Sequence, residues 1–151
     1  MPHFATERHV AHSAADMFAL VADVETYPQF VPMCEKLTVR ARSREGEREV
    51  LVADMTVAYA IVRETFTTKV TVDRQALAIS AEYINGPFHH LDSRWTFVPE
   101  GERACLVRFA IDYEFKSRVL SAVMGATFES AFRKFGEAFE KRADTVYGTA
   151  G

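Results

Sequence analysis

Apolar and polar residues alternate along most of this chain, and the period changes only near its two ends. Phe4 to Ala11 reads as a first strand. Ser13 and Asp16 then stand three residues apart, as in a capping box, and Met17, Leu20, Val21 and Val24 follow at helical spacing. That helix is expected to stop before Tyr27-Pro28. The stretch TYPQFVPMC, Thr26 to Cys34, holds two prolines and reads as a turn or a second short helix.

From Leu37 and Val39 onward the period is two. A charged run, Arg40 to Glu49, is centred on Gly46 and predicts a solvated hairpin. Leu51, Ala53, Met55, Val57 and Tyr59 share one face of the next strand; Phe66, Thr68, Val70 and Val72 share one face of another. A turn at Asp73 leads to Leu77, Ile79, Ala81 and Tyr83, which Asn85-Gly86-Pro87 ends. Leu91, Ser93, Trp95 and Phe97 give a sixth strand, turned by Pro99-Glu100-Gly101. The clearest alternation is Cys105, Val107, Phe109, Ile111, Tyr113 and Phe115, against charged Arg108, Asp112 and Glu114.

A long helix closes the pattern. Ser117 is its expected N-cap, and Leu120, Met124, Phe128, Phe132, Phe135 and Phe139 form a stripe at spacings of three and four. Glu129–Arg133 and Glu137–Lys141 are expected i,i+4 pairs. The architecture predicted is α+β: about seven antiparallel strands in a meander, one or two short helices after the first strand, and a long C-terminal helix over the apolar face. Residues 1–147 read as one domain, with 148–151 as a short tail. A sheet this wide must curl, and a helix across a curled sheet leaves room for a cavity.

Composition narrows the function. Lys and Arg total 18 against 21 Asp and Glu, a net charge of -3, which argues against DNA as a partner. Twelve Phe, five Tyr and one Trp can fill a core or line an apolar pocket. Cys34 and Cys105 are far apart, in no Cys-x-x-Cys motif, and suit free thiols in a reducing cytosol. The start, MPHFATERHV, lacks the apolar run of a signal peptide, and no stretch approaches ~20 apolar residues. The expected location is cytoplasmic or peripheral at the inner face of the membrane.

YINGPFHHLDSRW, Tyr83 to Trp95, gathers His89, His90, Asp92 and Ser93. A catalytic triad needs converging side chains, whereas neighbours on a strand point to opposite faces. No Gly-x-Ser-x-Gly elbow occurs, and His89, His90 and His12 lack zinc-ligand spacing. The stretch reads as a corner in which Phe88 and Leu91 pack. His89 and His90 are then at most contacts to a ligand head group, and no catalytic residue or metal ligand is assigned.

VADVETYPQFVPMC, Val21 to Cys34, and GPFHHLDSRWTF, Gly86 to Phe97, carry a resemblance. With the order of elements, they are similar to the coenzyme Q-binding START-domain family, a polyketide cyclase/dehydrase-like group that also contains the bacterial ribosome association toxin. Many members have Trp before the cysteine and Asn before the Arg-Trp pair, where this chain has Met33 and Ser93. The resemblance implies a START-like helix-grip fold and a non-enzymatic carrier or chaperone that supports respiration. Its ligand would be ubiquinone or a related polyprenyl lipid, held between sheet and long helix, with no other cofactor required.

The residues expected to bind that ligand are Phe30, Val31 and Met33 at the lip, and Tyr59, Phe66, Tyr83, Phe88, Leu91, Trp95, Phe97, Phe109, Tyr113, Met124, Phe128 and Phe132 along the wall. His89, His90 and Arg94 are the expected head-group contacts. Transient contact of the lip with a membrane surface is a further expectation. The alternative the resemblance implies is binding to the large ribosomal subunit, for which Arg40–Arg48 and Arg133-Lys134 offer local basic surfaces. An aromatase/cyclase would need an acid or base in the cavity, and Asp54 and Glu82 fall on the outer faces.

Overall fold

Every odd-numbered residue from Cys105 to Phe115 is buried, and every even-numbered one is at least partly exposed. That strand lies in a computed structural model that describes residues 3–59 and 61–148. In chain order the elements are β1 (His3–Val10), α1 (Ala14–Ala22), a 3-10 helix (Val24–Gln29), β2 (Cys34–Glu45), β3 (Arg48–Tyr59), β4 (Val62–Asp73), β5 (Ala78–Asn85), β6 (Phe88–Pro99), β7 (Cys105–Phe115) and α2 (Arg118–Tyr147). Residues 149–151 of the expected tail lie outside the described residues.

The seven strands form one antiparallel sheet in the order β1-β7-β6-β5-β4-β3-β2. Hairpins join β2 through β7. The first helices carry the chain from β1, at one edge, to β2 at the other. Register breaks in β2, between Thr67 and Thr68, and between Phe88 and His90 bend the strands, and such bulges sharpen local twist and curl. The 30-residue α2 lies across the concave face, nearest α1, β1 and β7. No helix among the described residues is long and apolar enough to cross a membrane.

Local chemistry sets the element ends. The Ser13 hydroxyl accepts from the Asp16 N–H at 3.0 Å and the Ser117 hydroxyl from the Leu120 N–H at 3.1 Å, so both predicted caps form. β2 starts at Cys34, three residues before the alternation becomes visible, because Cys34 already pairs with Val57. β5 starts at Ala78 instead of Leu77, since Leu77 has a left-handed backbone (φ 50°) that leaves the ladder. Pro28 is accommodated inside the 3-10 helix. Arg133 pairs with Glu129 at 2.8 Å, while Glu137 and Lys141 form no ion pair among the described residues. Exposed pairs of this kind contribute little, so their geometry is not enforced.

The charged hairpin is solvated as expected, but it is not a free basic surface. Arg40 faces Asp54 at 3.5 Å, Arg42 meets Glu25 and Glu49, and Arg48 bonds Asp73 at 3.2 Å. Most of its positive charge is matched locally by carboxylates from neighbouring strands and the 3-10 helix.

Candidate ligand-binding cavity

Between the sheet and α2 lies an apolar cavity of about 130 Å³. Its position follows from residue size. On the β1–β7–β6 side the inner face carries rings: Trp95 stands 4.4 Å from Phe109 and 5.1 Å from Phe139, and Phe109 reaches Phe132 and Phe135. These meet edge-on or tilted, as aromatic quadrupoles favour, and fill their volume. Across β3 to β6 the inward residues include Ala53, Thr68, Ala81 and Ser93, and α2 presents Ala131 above them. Small side chains facing one another leave the space that the rings do not fill.

Val31, Pro32 and Met33, which follow the 3-10 helix, border the cavity at the start of β2. Met33 has a left-handed backbone, φ 67°, and its carbonyl accepts the Ala58 N–H at 3.0 Å. The 3-10 helix holds this segment through the Tyr27 carbonyl, which accepts the Val31 N–H at 2.8 Å. Tyr27 lines the cavity and donates its hydroxyl to the Val21 carbonyl, and burial pushes its pKa up, with Cys34 and Asp23 adding to the effect. Its proton therefore stays on at any ordinary pH. Tyr27 is the one side chain in the cavity wall with a titratable group; the wall carries no carboxylate, amine or imidazole. Among the described residues no group of three or more His, Cys, Asp or Glu could hold a metal ion.

Of the residues expected along the wall, Val31, Met33, Phe66, Leu91, Trp95, Phe109, Phe128 and Phe132 border the cavity. The others do not, for separate reasons. Phe88 and Met124 are each 1% exposed and sit in solid core; Phe88 stacks on Phe115 at 4.7 Å. Phe97 lies beyond Trp95, edge-on to Phe18 at 5.9 Å. Tyr113 is packed among Phe88, Phe115, Phe128 and Phe132, and burial raises its pKa. Tyr83 uses its hydroxyl to accept the Phe88 N–H at 3.1 Å. Phe30 packs edge-on to Phe139 at 5.0 Å beneath the Arg142 guanidinium, outside the cavity wall. Tyr59 is 50% exposed at the end of β3, beyond the cavity.

The expected head-group contacts also lie elsewhere. His89 is exposed at the bulge that opens β6. His90 faces outward near Glu114, with Nδ1 3.9 Å from the carboxylate. Arg94 lies on the outer face, beside Thr96, Arg108 and Glu7. Strand alternation thus sends His90 and Asp92 away from Ser93, which lines the cavity. Most residues not anticipated as site residues are small or aliphatic, such as Ala53, Val57, Thr68, Ala81 and Ala131, and a preference for large rings hid them. Tyr27, Phe135 and Phe139 are aromatic residues of the wall that were missed as well; the two phenylalanines already stood in the apolar stripe of α2.

Comparison with known proteins agrees with this geometry. Residues 10–140 match the family described as polyketide cyclase / dehydrase and lipid transport. The chain is 32% identical over 147 residues to the ribosome association toxin RatA of Escherichia coli, covering 97% of this chain and 90% of that protein. It is 30% identical to the mitochondrial coenzyme Q-binding protein COQ10 of Drosophila melanogaster, over 86% of this chain and 53% of that protein. Among solved structures, an 18 kDa protein of Caulobacter crescentus superposes with a TM-score of 0.82 at 32% identity, covering 99% and 100% of the two chains. The Zhui aromatase/cyclase of Streptomyces shares the fold, with a TM-score of 0.82 at 18% identity. The chain belongs to the polyketide cyclase/dehydrase and lipid transport family.

Proposed function

We propose that this protein is a non-enzymatic carrier of a hydrophobic ligand of the ubiquinone type, held between the sheet and α2. The observation that carries this reading is an apolar cavity with no charged group in its wall. Such a wall suits ring and isoprenoid carbon, at roughly 0.8 kcal/mol per methylene buried. It does not suit acid–base catalysis, which needs a titrating group within reach of the substrate. The similarity to a coenzyme Q-binding protein supports the ligand class.

The volume limits how the ligand sits. Engineered apolar cavities of about 150 Å³ take up benzene, so about 130 Å³ holds one ring or a few carbons. A long tail would leave past Val31, Pro32 and Met33, which border the cavity. The same end of the molecule carries exposed Tyr59, Ile61, Ile84, Val119 and Val123, and no charged residue occurs between Arg118 and Glu129. Lys116 and Arg118 border this apolar end. We place ligand exchange at an anionic membrane surface on the cytoplasmic side, with this end docked. Native mass spectrometry of freshly isolated protein should show a bound lipid of quinone mass. Protein that carries no lipid and takes up no added quinone would overturn the carrier reading.

The similarity to RatA favours a second reading, association with a ribosome. It would use the outer surface and survive loss of the cavity. Co-sedimentation with the large subunit that persists when the cavity is filled would support it over the carrier reading.

A further inference from the structure

Besides the Tyr27 hydroxyl, which the Val21 carbonyl holds, and Ser80, which takes the outer phase opposite Arg94, two hydroxyls face the apolar cavity. Thr68, on β4, is 8% exposed and faces inward between Phe66 and Val70; Ser93, on β6, faces inward between Leu91 and Trp95. Their outward-facing counterparts are paired: Thr67 donates to Asp54 at 2.6 Å, and Thr56 bonds Thr65 at 2.8 Å. Thr68 and Ser93 make no such hydrogen bond among the described residues. Thr68 is buried and Ser93 half-buried; a hydroxyl left without a partner there costs up to about 1–3 kcal/mol, and valine or alanine would fit either position without it.

Register relates the two. Ser93 lies opposite Ala81 on β5, Ala81 lies opposite Val70 on β4, and Thr68 is two residues from Val70 on the same face. Two strand spacings and a two-residue offset separate their Cα atoms by roughly 10–12 Å. Along that backbone separation, an O–H···O bond of about 2.8 Å at each end leaves roughly 4–6 Å between the acceptors. A six-membered ring with oxygens at opposite corners falls within that span. On the intervening strand Ala81 lies opposite Ser93 and Tyr83 opposite Thr68; of these Ala81 borders the cavity, its small side chain leaves space there, and the cavity has about the volume of one ring.

We propose that Thr68 and Ser93 are the head-group residues of the cavity, together gripping a para-dioxygenated ring of the quinone or hydroquinone type. The ring enters first and lies against the sheet, and the tail runs out past Val31, Pro32 and Met33. Specificity for such a ring then comes from the sheet floor and not from the histidines of β6. This rests on the carrier reading and adds to it the residues that hold the head group and the orientation of the ligand.

The test uses three probes: 2,3-dimethoxy-5-methyl-1,4-benzoquinone, the same ring with a decyl tail, and decylbenzene, which has ring and tail but no oxygen. Binding is measured by calorimetry on wild type, Thr68→Val and Ser93→Ala, with thermal melts to confirm folding. Each substitution should weaken both quinones about three- to tenfold, leave decylbenzene unchanged or tighter, and leave the melting temperature equal or higher. Quinone affinity unchanged in both variants, or a parallel loss of decylbenzene, overturns the head-first grip and leaves the carrier reading standing. Failure of wild type to bind any of the three overturns both.

Discussion

Gly86 lies directly against Phe66. A Cβ at Gly86 would stand 2.5 Å from the Phe66 Cβ and 2.9 Å from its Cα, and the Gly86 backbone adopts φ +145°. The chain leaves β5 here and crosses close over β4, at the corner from which Phe88 enters the core beside Phe66 at 5.3 Å. Backbone conformation and lack of space both demand glycine. Gly86→Ala should destabilise by at least about 2 kcal/mol, read as a lower urea midpoint. A variant as stable as wild type would mean that the crossing is looser than described.

The cavity can be closed from above. Ala131 on α2 is buried and borders the empty space, so Ala131→Leu should fill part of it. Stability should hold or rise by about 0.5–2 kcal/mol, as cavity-filling changes commonly do. Binding of the benzoquinone should fall more than about tenfold for the same steric reason. Trp95, the only tryptophan, borders the cavity and reports occupancy. Quinone should quench its fluorescence in wild type and not in the filled variant.

Both thiols resist ionisation. Burial pushes Cys34 and Cys105 from the ordinary 9.0 up to about 11, with Glu100 adding to the effect at Cys105. Folded protein at neutral pH should therefore react slowly with a thiolate-seeking reagent, and both thiols should react promptly in urea. A raised folded pKa means that the unfolded chain gives up these protons first. Their contribution to stability is full below 9.0 and is lost as pH climbs through about 11. Urea midpoints measured across that interval should fall with rising pH, and less steeply in a Cys34→Ala, Cys105→Ala double variant.

The far end of α2 is tied down by a buried histidine. His12 is 7% exposed, its Nε2 lies 2.7 Å from Asp144, and the Tyr147 hydroxyl donates to the Asp16 carbonyl at 3.1 Å. His12→Ala removes a charge-capable hydrogen bond and a packed ring, and should cost about 1–3 kcal/mol. Amide exchange should quicken in the last turns of α2, around Ala143, before it quickens near Phe128. Uniform quickening along the helix would show that the clasp acts on the whole fold instead.

Much of this fold was legible because local patterns carried it. Ser13 and Ser117 cap the helices that the apolar spacing predicts, and the inward phase of Phe66, Leu91, Trp95 and Phe109 is the phase that the alternation shows. Strand starts were less legible: Cys34 joins β2 through its pairing with Val57, a contact between distant residues. The site was half legible. Size and aromaticity drew Phe88, Phe97, Tyr113 and Met124 into the expected wall, yet each lies in packed core.

Sequence alone determined the order of elements, the apolar face of each strand, the stripe on α2 and the family to which they belong. Those features depend on spacing within one segment, and a side-chain period survives whatever the segment packs against. Tertiary structure decided where the space lies, which rings fill and which border it, and that His89, His90 and Arg94 stay outside. A cavity is the volume left by residues from several strands and a helix. It appears where Ala53, Ala81, Ser93 and Ala131 converge, and no spacing within one segment records that meeting.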